Sequence, residues 1–317
     1  MKKFFNSIFI ALTFFAVLIQ AQTKNKIAVT VDDLPLQGIN SFAPEEQTKI
    51  FNKLAGAIAK EKTPAIGFVN EDKLLNNGSY AKERIELLEN WLNKGLDLGN
   101  HTFAHKGANR VPVEEFKEDV IKGENILKGL LSKRNKKIQY FRHPFLQTGL
   151  SLEIKKEIND WLLARGYTIA PVTFDNSEWI FAKAYENAVK NNDAAMKEKI
   201  SVEYVSYMKE KLEYWEGQSQ KLFGRNISHT LLIHANRLNS DTYGALCRML
   251  REKNYEFVTL EEALKDEAYK SEDTFIKNAG ISWLDRWALA KGKKRDFFAG
   301  EPPCPPHIMK YAGVDGE

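Results

Sequence analysis

Cysteine is almost missing from this chain: Cys247 and Cys304 are the two in 317 residues. That excludes a disulfide scaffold and a cysteine-ligated metal cluster. One bridge between them is compatible with the sequence, which leaves the pairing open. Proline and glycine are too few and too irregular for a fibrous or low-complexity chain, so the composition is that of a globular protein. Charge of one sign is also scarce. The formal net charge is +4, and Lys2 and Lys3 supply half of it. Such a balance carries no electrostatic footprint for nucleic acid, and the basic cluster at 133–137 reads as a solvated turn. Beyond the N-terminus no apolar run is long enough to span a membrane.

The N-terminus itself has the composition of a secretory signal peptide. Lys2 and Lys3 precede a strongly apolar run over 4–19, and Ala21 is a suitable cleavage residue, although Ile19 departs from the small-residue rule two positions earlier. Residues 1–21 are therefore expected to be a leader, with an uncleaved anchor as the alternative. No cysteine follows the run to take a lipid. The mature protein is expected to be exported, periplasmic or secreted, with no stable membrane span, and to meet its substrate outside the cytoplasm.

From residue 26 short apolar runs alternate with longer amphipathic ones. Strands are expected over 27–31, 65–69, 96–99, 138–141, 167–172, 228–234 and 257–259. Helices are expected over 45–60, 80–93, 113–131, 151–165 and 241–252. This βαβα order predicts an α/β fold: a single distorted or incomplete (β/α) barrel of about seven parallel strands over residues 26–265. Residues 182–223 break the alternation and read as an inserted helical pair or lid, or as ordinary outer helices. Residues 266–317 form a C-terminal extension, in which Trp283 and Trp287, four apart, should pack one helix face onto the barrel.

The chemistry-bearing residues stand at corresponding places. Asp32, His101, Arg142, Asp175 and His234 each fall at or just past the C-terminal end of an apolar run. In a parallel barrel that end carries the active site. Asp33 with His101 and His105 can hold one divalent ion, and Asp32 is left beside it as a base. His101 and His105 are one helical turn, or one tight loop, apart. Each piece alone has a bland reading as a loop cap or a hydrogen-bonded core histidine; the conjunction is what points to a hydrolytic centre. His143, His229 and His307 carry no expected role.

Five blocks in order resemble the polysaccharide deacetylases, the NodB-homology group or carbohydrate esterase family 4. They are Thr30-Val31-Asp32-Asp33, His101-Thr102-Phe103-Ala104-His105, Arg142-His143-Pro144-Phe145, Asp175-Asn176-Ser177-Glu178-Trp179 and Leu232-Ile233-His234. The resemblance implies that Asp33, His101 and His105 ligate the metal, that Asp32 is the base and that Arg142 holds it. It implies that the Phe145 backbone N–H faces the oxyanion. Asp175 would orient and charge His234, the general acid, while Leu232 and Trp179 would line a pocket for the acetyl methyl. Leu34-Pro35 stand where the family has glycine next, and Phe145 stands where it often has tyrosine.

The expected function is metal-dependent removal of N-acetyl groups from amino sugars of a cell-wall or exported polysaccharide. Zinc is the first choice of metal, and cobalt, nickel or manganese also suit the ligand set. The expected partner is an acetylated carbohydrate. Alternatives are an O-acetyl esterase acting on xylan or another glycan, and an inactive carbohydrate-binding wall protein. A glycosidase using Asp32 and Asp33 is weaker, because adjacent residues do not flank a glycosidic bond from both sides.

Overall fold

The computed structural model describes residues 24–316; the expected leader lies outside them. The elements follow one another as β1 (Asn25–Leu34), α1 (Pro44–Lys60), β2 (Ile66–Val69), a small hairpin of β3 (Leu75–Asn76) and β4 (Ser79–Tyr80), α2 (Lys82–Asn93), β5 (Asp97–Asn100), α3 (Val113–Lys122) and α4 (Asn125–Ser132). Then come β6 (Tyr140–Phe141), α5 (Leu152–Ala164), β7 (Thr168–Ile169), α6 (Glu178–Lys190), α7 (Ala194–Phe223), β8 (His229–His234), α8 (Arg237–Glu252), β9 (Tyr255–Phe257), α9 (Leu260–Ala263), α10 (Trp283–Ala290) and α11 (Pro306–Ala312).

Seven strands form one parallel sheet in the order β7-β6-β5-β2-β1-β8, with β9 pairing the start of β1. β1 is buried on both faces, and its Ile27, Val29 and Val31 lie in the main core; β-branched residues suit such a strand. The sheet curls until its edges meet. The segment after β7 bridges to β8 at Phe174 and Leu231, and the Thr173 and Phe174 N–H groups both donate to Thr230 O, at 3.2 and 3.0 Å. The expected incomplete barrel is thus realised, with short, irregular strands β6 and β7 at the seam. No helix among the described residues is long and apolar enough to cross a membrane.

Two expected elements differ. The helix over 113–131 is two helices, α3 and α4, broken at Gly123. A Cβ on Gly123 would lie 2.7 Å from the Thr102 carbonyl carbon and 2.9 Å from Phe103 N. The backbone of the histidine loop therefore presses on the helix end where no side chain fits. The segment 182–223 divides between its two readings. α6 starts earlier, at Glu178, and packs against β8 and α8 as an outer helix. α7, 30 residues long, runs beside it and brings Lys211 and Trp215 to the cleft.

Trp283 and Trp287 are buried, and Trp287 meets Phe223 and Tyr269 edge to face. Trp283 N donates to Val172 O at 2.7 Å, tying α10 to the barrel seam. Cys247 and Cys304 are both buried.

Candidate active site

A cleft of about 1180 Å³ opens at the C-terminal ends of the strands. All the expected site residues line it except Arg142, which lies beneath its floor, fully buried.

β1 ends by placing Asp32 and Asp33 on opposite courses. Asp32 is in register with His234 on β8. Asp33 adopts a positive φ of 69°, which turns its carboxylate toward the histidine loop. Thr102, His105, Phe145 and Leu146 also sit at positive φ. Such conformations cost of order 1–3 kcal/mol each, and they gather where surrounding contacts over-determine them.

Asp33, His101 and His105 each offer a ligand atom, and these atoms lie within 4.8 Å of one another. His101 Nδ1 is 2.8 Å from the Arg142 carbonyl, so it carries the proton and leaves the Nε2 lone pair facing the cluster. His105 Nε2 is 3.7 Å from Asp33 Oδ1. Burial lowers the pKa of both imidazoles, His105 to about 4, so both are neutral, as ligands must be. Asp33 Oδ1 is buried without an aligned hydrogen-bond donor. A carboxylate oxygen beside two neutral imidazole lone pairs is a donor set that a divalent cation fits.

Lys73, which the sequence did not point to, stands 2.8 Å from that same oxygen as an ion pair and is anchored by Asn70 Oδ1 at 2.9 Å. Burial opposes ionisation of Asp33, but Lys73 and then the histidines hold its pKa well below the usual carboxylate range.

The loop between the histidines is held from outside the motif. The Asp119 carboxylate accepts from Ala104 N at 3.1 Å, and Asp119 O accepts from Phe103 N at 2.9 Å. Asn100 Oδ1 accepts from Thr102 N at 2.7 Å, and Asn70 Nδ2 donates to His101 O at 2.6 Å.

Arg142 spends its guanidinium on the barrel floor. Nη1 donates to Asp32 at 3.2 and 3.3 Å, Nη2 to Thr30 Oγ1 at 2.9 Å and Nε to Ala170 O at 2.8 Å. Burial raises Asp32 to about 6, against the charges of Arg142 and His234, which pull it down. It is a carboxylate poised near neutrality, as a general base requires.

One expected pairing is corrected. Asp175 does not hold His234. His234 Nδ1 pairs with Glu178 Oε2 at 2.8 Å, and Glu178 Oε1 in turn accepts from Asn236 and Asn239 at 2.5 and 2.7 Å. Asp175 precedes the first turn of α6, where its Oδ1 accepts from Asn176 N. Helix geometry explains the change: Glu178 opens α6 and faces β8, whereas Asp175 is still in the seam. Burial disfavours the His234 imidazolium, but the bond to Glu178 and the charges of Glu178, Asp33 and Asp32 overcome it and raise the pKa to about 9. The signal available in the sequence was the carboxylate next to Trp179.

Phe145 lies in a turn, with its ring 4.3 Å from His105 and capped by Arg110 at 3.7 Å. The C-terminal extension fixes this turn. Arg286, fully buried, donates to Leu146 O, to Thr148 Oγ1 at 3.0 Å and to Ile281 O at 3.0 Å. Gly280 packs so tightly that a Cβ there would stand 1.8 Å from Phe145 O. His143 is buried between Phe116 and Phe141, with its pKa lowered by burial to about 3, and takes no part in the cleft.

With this geometry in place the comparison with known proteins is direct. Residues 20–161 match the family described as polysaccharide deacetylase. Over that stretch, a little under half of the chain, the sequence is similar to that family. The similarity is to hydrolases of the class acting on the amide bonds of N-acetyl groups. The matched stretch carries the first three blocks and stops before Trp179, Leu232 and His234.

Solved structures are similar to parts of the chain. The polysaccharide deacetylase Bc1974 from Bacillus cereus is 14% identical over 81% of this chain and 100% of its own, with a TM-score of 0.50. The peptidoglycan deacetylase PdaC from Bacillus subtilis is 19% identical over 76% of this chain and 92% of its own, with a TM-score of 0.47. BA3943, a CE4 family pseudoenzyme from Bacillus anthracis, is 12% identical over 76% and 66%, with a TM-score of 0.48. No curated protein sequence matches the chain.

Proposed function

We propose that this protein is a deacetylase that removes N-acetyl groups from amino-sugar units of an exported or cell-wall polysaccharide, with one divalent metal, zinc by first choice, at Asp33, His101 and His105. The reading is carried by one juxtaposition: Asp32, clamped by Arg142, lies between the neutral ligand set and a His234 held protonated by Glu178.

The bound cation would supply polarisation of the acetyl carbonyl and a lower pKa for water. Asp32 accepts a proton from the attacking water, and Arg142 keeps its carboxylate aimed at the cleft. The amide N–H of Phe145 faces the developing oxyanion; a donor of this kind is worth roughly 3–4 kcal/mol. His234, with Nδ1 engaged by Glu178, presents Nε2–H to the leaving nitrogen and gives up that proton as the C–N bond breaks. Water and amide become acetate and amine. Trp179 and Leu232 wall the space for the methyl group. A leader at 1–21 would deliver the enzyme to this substrate outside the cytoplasm.

The test is acetate release by residues 22–317 from chitooligosaccharides, peptidoglycan and acetylated xylan, with and without zinc, beside Asp32→Asn. Metal-dependent release from N-acetylated substrates, lost in the variant, is the expected result. Release from acetylated xylan alone would overturn the amide reading, and no release with metal bound would overturn catalysis.

A further inference from the structure

The cleft has a second polar wall that the reaction does not use. Asp175 from the barrel seam, Asp285 on α10 and the extension residue Glu301 line it, together with Lys211 and Trp215 of α7. All but Asp175 come from the inserted helix and the C-terminal extension, outside the five motif blocks. Lys211 is engaged by Glu301 and lies over the Trp215 ring at 5.4 Å. Trp215 Nε1 donates to Asp175 O at 2.8 Å, which fixes the indole as one side of the wall.

Asp285 is 9% exposed, and its Oδ1 is buried with no hydrogen-bond partner. A buried carboxylate oxygen left without a donor is costly, so its persistence in a cleft wall calls for a ligand. Arg286, next to Asp285 in sequence, is committed to Leu146 O, Thr148, Ile281 O and Asp273. Arg142 and Arg286 act on Asp175, but Lys211 is the cation that acts on Asp285, beside the charges of Glu301 and Asp175; the unmet demand at Asp285 is for positive charge as well as for a donor. A sugar hydroxyl would meet the second demand only.

We propose that this wall is a subsite for a protonated primary amine of the substrate: a free amino-sugar unit adjoining the acetylated unit under attack. The inference rests on the deacetylase reading above and narrows its substrate to partly deacetylated chains. Burial and the charges of Glu301 and Asp175 push Asp285 up to about 7, and burial raises Asp175 too. An arriving ammonium would favour the ionised forms. Deacetylation also produces the recognised group, so each turnover would prepare the chain for the next.

The experiment is calorimetric titration of the zinc-loaded protein at pH 7 with the β-1,4 glucosamine dimer and, as the uncharged match, cellobiose. The expected result is a preference for the amine of roughly tenfold or more, the size of one charge-assisted hydrogen bond. That preference should vanish in Asp285→Asn or Glu301→Gln, with thermal unfolding recorded for both. If Asp285→Asn fails to fold, Glu301→Gln, on the more exposed residue, decides. Equal binding of the two dimers by the wild type, or a preference that survives in every folded variant, would overturn the subsite. Acetate release from N-acetylated oligomers is measured on the same preparations. Amine preference without release would retain the subsite and remove the deacetylase reading; release without amine preference would do the reverse.

Discussion

His234 Nδ1 lies 2.8 Å from a Glu178 carboxylate whose other oxygen is fixed by the side-chain amides of Asn236 and Asn239. The relay extends to α7, where Tyr204 donates to Asn239 Oδ1 at 2.8 Å. A carboxylate so held cannot swing away, so it fixes both the charge and the orientation of the imidazole.

The acid and its partner can therefore be separated by mutation. His234→Ala should lower kcat by roughly 10²–10⁴, the usual contribution of a positioned acid. Glu178→Gln should lower kcat more than Asp175→Asn does, and should move the alkaline limb of the rate profile to lower pH. An unmoved limb in Glu178→Gln would assign the raised pKa to another neighbour.

Rate against pH should peak between about 6 and about 9, because Asp32 must be ionised and His234 protonated. The sign for stability follows from the same shift. A folded-state pKa raised from 6.5 to about 9 gives the His234–Glu178 pair a contribution fully present below 6.5 and lost as pH rises through about 9. Unfolding midpoints measured across that interval should fall in the wild type and stay flatter in Glu178→Gln.

Arg142→Met would leave Asp32 buried and unpaired and would orphan Ala170 O. Removing one partner of a buried pair typically costs about 3–5 kcal/mol. A large drop in denaturation midpoint, with the acid limb displaced to higher pH, is expected. A variant as stable as the wild type would contradict the buried geometry of the barrel floor.

Chelation should abolish acetate release, and added zinc should restore it. His105→Ala should bind metal at least tenfold more weakly, as measured by metal content after dialysis. Lys73→Met removes the cation beside Asp33 Oδ1 and should tighten metal binding, by removing like-charge repulsion.

The extension should matter to catalysis through the Phe145 turn. Gly280→Ala has no room for its methyl group against Phe145 O, so the turn must shift. The expected result is a fall in kcat with a smaller change in KM. Arg286→Met should lower kcat and thermal stability together, since three acceptors, two of them in buried bonds, lose their donor.

The sequence by itself determined the alternation of strands and helices, the placing of Asp32, Asp33, His101, His105, Arg142 and His234 at strand ends, and the apolar face carrying Trp283 and Trp287. These are local facts: periodicity reports which face is buried, and in a parallel barrel every strand end reaches the same rim. Tertiary structure decided the rest. Glu178 rather than Asp175 meets His234 because α6 begins where it does, and that depends on the seam closing at Phe174 and Leu231. The break at Gly123 depends on a backbone approach from residues 102–103. Asp119, Lys73, Gly280, Arg286 and Asp285 reach the site from elements that carry no motif. Their roles depend on distances across the fold, which a one-dimensional pattern does not contain.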